Sequence, residues 1–309
     1  MPTMPASAPQ SLTCAPSPPE SAGRREPIGS DSEWTTVIEP HRGWFDWRLH
    51  ELWRYRDLIL LFVWRDFVVT YKQTILGPAW HIIQPLLTTL TYTLIFGRVA
   101  KLSTDGTPSF LFYMAGNVIW GYFATCLTKT ASTFTANANL FGKVYFHRLV
   151  MPVAVVLSNL IAFAIQFAVF LAFLLLYHVR GVELRPTTWV FFLPVQLIVL
   201  AALGLGFGII VSALTTRYRD LAHLVTFGVQ LWMFATPVVY PASSIPEKYR
   251  WVFLANPVSP VIESFRLGFL GSGTFSSTQL ATCAATTALV LVVGLVLFSR
   301  VEKTFMDTV

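Results

Sequence analysis

Six long apolar stretches, none containing an Asp or Glu, run through residues 79–299. They are roughly Ala79–Phe96, Phe110–Thr133, Val150–Tyr177, Trp189–Leu214, Leu221–Tyr240 and Leu280–Ser299. A helix needs about 20 mostly apolar residues to cross the ~30 Å hydrocarbon core of a bilayer, and these stretches have that length. Transmembrane strands would run about 10 residues with alternating polarity, a pattern the stretches lack. The expectation is an all-α integral membrane protein with six transmembrane helices. Only 12% of the 309 residues are charged, against roughly one quarter in a soluble domain.

Spans without acidic residues have little with which to relay a proton or bind a cation. Lys129 and the marginal His81 and His223 are nearly all that is ionisable within them. Lys129, near the expected cytoplasmic end of the second span, is read as snorkelling to the interface. Energy must then come from outside the chain, yet no P-loop is present: Gly142-Lys143-Val144 lacks the upstream Gly and the following Ser or Thr. The six histidines stand singly, and Cys14, Cys126 and Cys283 are scattered. No acid/base residue, metal site or resident cofactor is expected, and no nucleic-acid partner.

Basic residues are placed asymmetrically, with clusters at Arg54/Arg56, Lys143/Arg148, Arg217/Arg219 and Arg300/Lys303. If the N-terminus is cytoplasmic, 14 of the 22 Lys and Arg residues lie inside, 7 outside, and Lys129 within a span. The positive-inside rule then puts both termini in the cytoplasm.

Three regions follow. Residues 1–34 hold 7 of the 19 prolines and no apolar run after Arg24 and Arg25, so they read as a disordered cytoplasmic tail. Residues 35–78 mix Trp44, Trp47 and Trp53 with Arg48, Arg54 and Arg56, as an amphipathic helix lying in the membrane interface would. Residues 79–309 form the six-helix transmembrane domain.

Two cytoplasmic connections stand out. The segment after the second span interleaves Lys143, His147 and Arg148 with Tyr145 and Phe146. Exposed rings between positive charges are costly unless buried against something, so this segment is expected to dock a partner. The loop with Arg217, Arg219 and Asp220 is a second docking candidate. Before the last span, the apolar run Val258–Leu270 is too short to cross and is broken by Glu263 and Arg266. With Pro246, Pro257 and Pro260 it suggests re-entrant helices that gate the external end of a pathway. Aromatics reach 15% of residues. Trp80, Tyr92, Phe96, Tyr113, Trp120, Tyr122, Phe123, Trp232 and Phe234 are candidates for the walls of a corridor on which sugar rings could stack.

The string LWRYRDLILLFVWRDFVVTYKQTILGPAWHIIQPL (Leu52–Leu86) resembles the N-terminal signature of polysaccharide-type ABC exporter permeases, with its Tyr71-Lys72 step and its Leu76-Gly77-Pro78-Ala79-Trp80 turn. LFGKVYFHRLVMPV (Leu140–Val153), the Arg217–Asp220 loop and YPASSIPEKYRWVFLANPVSPVIESFR (Tyr240–Arg266) extend the resemblance over most of residues 45–300. It implies a homodimer in the bacterial inner membrane with two copies of a nucleotide-binding ABC ATPase, which would hold ATP and Mg. It also implies a coupling helix at Leu140–Leu149, periplasmic re-entrant helices at Pro246–Leu270, and a lipid-linked polysaccharide as substrate. Two other readings stay open: an ABC exporter of a small amphiphile or drug, and a membrane-bound glycan-modifying enzyme.

Overall fold

The computed structural model describes residues 49–72, 75–137, 140, 146–217, 220–274 and 276–305. Every element among them is helical. Five helices are long and apolar enough to cross a bilayer: Trp80–Val99, Ser109–Ala136, Val150–Val179, Thr188–Thr215 and Thr278–Ser299. All five lie within three residues of the stretches marked in the sequence. The fifth stretch, Leu221–Tyr240, is different. It holds a 14-residue helix, Leu221–Phe234, which at 1.5 Å per residue reaches about 21 Å, some two-thirds of the hydrocarbon core.

The helices are α1 (Leu49–Arg54), α2 (Arg56–Tyr71), α3 (Trp80–Tyr92), α4 (Ser109–Ala136) and α5 (Val150–Val179). They continue with α6 (Leu193–Arg217), α7 (Leu221–Phe234), α8 (Arg250–Ala255), α9 (Ser259–Leu270) and α10 (Ser277–Phe305). The reason α7 stops is local. A residue before proline is pushed out of the helical region, and proline itself brings no N–H. Thr236-Pro237 applies both effects, and the chain goes on in turns, with Val238 N–H donating to Thr236 O at 2.7 Å.

The core is built around α4, which packs against α3, α5, α6, α7 and α9. Leu111, Phe112, Ile119 and Phe123 of α4 are buried. Without a hydrophobic drive between helices in lipid, close approach by small residues does much of the work. Gly204 and Gly208 of α6 face Cys126 and Thr130 of α4, while Gly206 of α6 meets Gly294 and Val290 of α10. These glycines serve as flat contact surfaces.

The α2 helix lies on α5. Ile59 and Phe62 are buried there, but Leu60, Leu61 and Trp64 are exposed. Its apolar residues therefore occupy both faces, rather than the single face expected of an amphipathic helix. The 1–34 tail, residues 35–48, and the docking candidates Lys143, Tyr145 and Arg219 lie outside the described residues.

Candidate functional site

Three helices bring polar side chains to one groove. On α4, Asn117, Gly121, Thr125 and Lys129 recur every fourth residue, which puts them in a row along one face. Asn159 and Gln166 of α5 and His81, Gln84 and Thr88 of α3 close the groove from either side. The cavity between them measures ≈ 290 Å³. Tyr122 and Phe163, with ring centroids 5.4 Å apart, form part of its lining. A smaller extension runs past His81 and Ser158 to Asp66 and Thr70 of α2. Trp80 at the groove is half-exposed and Lys129 is exposed, so the groove opens on the outer surface of the chain.

The hydrogen bonds inside it are sparse. Asn117 Nδ2 donates to Pro85 O at 3.4 Å and ties α4 to α3. Lys129 Nζ donates to Asn159 Oδ1 at 3.0 Å. Asn159, 2% exposed, is turned toward it with its own Nδ2 on Cys126 Sγ at 3.8 Å. The ammonium thus bonds across to α5. Among the described residues no carboxylate pairs with Lys129. Chemically the groove offers one cation and several neutral amides, suited to holding a polar or anionic group.

A second polar cluster secures the broken end of α7. Arg266 of α9 is 1% exposed and donates from Nη1 to Pro237 O (2.6 Å) and from Nη2 to Val238 O (2.7 Å). Its guanidinium lies 3.6 Å from the centre of the Phe112 ring and 3.4 Å from Glu263 Oε1. Glu263 Oε2 accepts the Thr274 N–H at 3.0 Å. Asn256 completes the arrangement, donating to Thr236 Oγ1 at 2.7 Å. Non-helical backbone at membrane depth is tolerated only when protein covers it and pairs its polar groups, and Arg266 does the pairing. Gly116 of α4 leaves the space: a methyl group there would sit 2.7 Å from Arg266 Nη2. Burial pushes Arg266 down to about 10, against the raising effect of Glu263, so it stays protonated at neutral pH. Burial likewise raises Glu263, against Arg266.

Glu263 and Arg266 thus form a buried strut within the segment read from sequence as an external gate. Pro260 starts α9, Pro257 O accepts from Cys283 Sγ at 3.1 Å, and Pro246 is exposed. Beside this segment a cavity of ≈ 380 Å³ lies among Ser243, Glu247, Arg250, Thr274 and Gln279.

The nine aromatic corridor candidates divide. Tyr113, Trp120, Tyr122 and Phe123 are buried within one chain, because α4 has neighbours on nearly every side. Trp232, half-buried, packs on them, 5.3 Å from Phe123 and 6.3 Å from Trp120. Tyr92 and Phe96 are half-buried, and Trp80 and Phe234 are half-exposed at 51% and 50%. Of the docking candidates, Phe146 is buried and its ring lies 5.7 Å from Phe62 of α2. The Phe146 ring is thus packed against the chain's own α2. His147 and Arg148 are partly exposed, Arg217 ends α6, and Asp220 is exposed at the start of α7.

Sequence reasoning missed the amides Gln84, Asn117, Asn159 and Gln166. The signal was their helical spacing: 81, 84, 88 on one helix, 117, 121, 125, 129 on the next, and 159, 166 on the third. A search for ionisable groups passes over it.

The sequence profile of the ABC-2 type transporter family matches residues 57–270. The O-antigen export system permease protein RfbA of Klebsiella pneumoniae is 30% identical over 251 residues, 81% of this chain and 94% of that protein. RfbA of Myxococcus xanthus is 30% identical over 263 residues, covering 84% of this chain and 98% of its own length. The polysialic acid transport protein KpsM of Escherichia coli is 22% identical over 249 residues, 79% of this chain and 93% of that protein.

Proposed function

The chain belongs to the ABC-2 type transporter family, and we propose that it is the membrane-spanning subunit of an ATP-driven exporter of a lipid-linked polysaccharide of the O-antigen or capsular kind. The observation that carries this reading is the similarity, over about four-fifths of the chain, to permeases named for O-antigen export. On this reading the chain is a multi-pass protein of the bacterial inner membrane with both termini in the cytoplasm. Residues 1–34 are its tail, 35–78 its interface region and 79–309 the permease domain.

ATP and Mg belong to a separate nucleotide-binding subunit present in two copies, and the permease is a homodimer. Exposed apolar side chains on α3 (Leu87, Leu90) and α7 (Leu224, Phe227, Leu231) support the dimer, since a second copy would bury them. The sugar chain passes over Trp80, Tyr92, Phe96, Trp232 and Phe234, while the buried α4 rings stiffen the wall from behind. The segment around α9 forms the external end of the path. The ATPase pushes on the Leu140–Leu149 segment and the Arg217–Asp220 loop.

The test is complementation. A strain lacking the gene should accumulate lipid-linked glycan inside and regain surface polysaccharide with the wild-type chain. A strain that regains resistance to amphiphilic dyes but no surface glycan would overturn the reading.

Coupling gives a separate prediction. Residues along a coupling route shift it by about 0.5–2 kcal/mol, so Arg148→Ala should raise the ATP hydrolysed per glycan exported by about 2- to 30-fold. Membrane insertion should be unchanged. Phe146→Leu, which keeps the contact with Phe62, should leave the ratio near wild type. An unchanged ratio in Arg148→Ala, measured in proteoliposomes with the ATPase, would remove Arg148 from the route.

A further inference from the structure

We propose that the groove between α3, α4 and α5 is a binding site for the phosphate of a lipid headgroup, with Lys129 as its counter-charge. This rests on the exporter reading for its biological use but not for its chemistry.

Four observations lead there. Lys129 lies seven residues before the end of the 28-residue helix α4, so it is carried by the helix and not by the loop that follows. Its single described hydrogen bond goes to a neutral amide, Asn159. An ammonium drawn into a span without a carboxylate leaves donors for an anion supplied from outside. The groove also opens laterally, at Trp80 and Lys129, where a lipid could enter headgroup first.

The remaining groups fit a phosphate ester. Gln84 and Gln166 line the cavity and make no side-chain hydrogen bond to the described protein, so their amide N–H groups are open to the ligand's oxygens. At the mouth, the carboxylate of Asp66 is already engaged by Arg65 at 2.7 Å, which limits its repulsion of an entering anion. The cavity of ≈ 290 Å³ is large for a phosphate, leaving room for the first atoms of what the phosphate carries. A proton path suits the groove less well, since no carboxylate lines the larger cavity.

Phosphate could come from the carrier of the exported glycan or from ordinary bilayer lipid, and the test separates the two. The purified full-length chain in detergent is incubated with radiolabelled C55 polyprenyl phosphate, phosphatidylglycerol or uncharged C55 polyprenol, and retained lipid is counted. The phosphate lipids should be retained and polyprenol lost. Preference for polyprenyl phosphate assigns the site to the carrier; equal or greater retention of phosphatidylglycerol assigns it to bilayer lipid.

A hydrogen bond to a charged group is worth enough that Lys129→Gln should cut retention about tenfold or more. Lys129→Arg should restore it, and Arg180→Gln, on the exposed end of α5, should not change it. Retention of polyprenol equal to its phosphate, or undiminished phosphate retention by Lys129→Gln, overturns the proposal. Complementation in the deletion strain is scored in parallel. If the wild-type chain restores surface glycan while retention ignores Lys129, the groove assignment falls and the exporter reading stands. If phosphate retention depends on Lys129 but no glycan is restored, the reverse holds.

Discussion

Arg266→Met is expected to cost about 3–5 kcal/mol of stability, the usual result of removing one partner from a buried ion pair, and to stop export. The loss has two parts. Glu263, 1% exposed, keeps its carboxylate in a buried site with only the backbone N–H groups of Thr274 and Ala242 to compensate it. Pro237 O and Val238 O, at 2.6 and 2.7 Å from the guanidinium, lose their donor where the backbone is no longer helical. Arg266→Lys should recover only part of the loss, since a point ammonium cannot reproduce the fork that serves three carbonyls and a carboxylate. The decisive comparison is in a Glu263→Gln background. There the stranded charge is gone, so Arg266→Met should cost less than in the wild type, the difference being the coupling of the pair. Equal costs in the two backgrounds, from unfolding of the purified protein in mixed micelles, would mean that the carbonyls alone matter. No cost in either would mean that Arg266 is not a strut.

The clamp also explains which features the sequence exposes. Five spans can be read directly, because a helix in lipid must be apolar over a fixed length and nothing else in a chain imitates that. The remaining stretch, Leu221–Tyr240, does not read so directly, because hydropathy averages over it without registering that the helix ends before Thr236-Pro237. Its missing turns are replaced by tertiary pairing from Arg266 and Asn256, 29 and 20 residues further along. Glu263 and Arg266 were noticed as interruptions of an apolar run, yet that run gives no hint that Arg266 reaches back to α7.

The groove was hidden for a different reason. Its amides are uncharged and at most two to a span, and only the meeting of α3, α4 and α5 turns three sparse rows into one lining. Phe146 is illegible in another way: its cover, Phe62 on α2, comes from some eighty residues earlier in the chain.

Gly208→Leu carries the second large effect. A methyl group at Gly208 collides with Thr130 Cβ, with Leu127 O a further 3.1 Å constraint. Thr130 is itself fully buried, so neither side can rotate its way out. Overpacking a close helix contact costs about 1–3 kcal/mol and occasionally more. Because α4 and α6 are the central pair of the bundle, the variant should lose export and most of its yield in the membrane. Position and not residue type is responsible, and Gly228 tests this: a methyl group there meets nothing within 4 Å, so Gly228→Ala should be neutral or slightly stabilising. Compensation is the sharper test. Gly208→Ala should be harmful alone and partly rescued by Thr130→Gly, which clears the nearest atom but leaves the Leu127 carbonyl in place. A double variant as unstable as the sum of the singles would show that α4 and α6 do not touch at this pair.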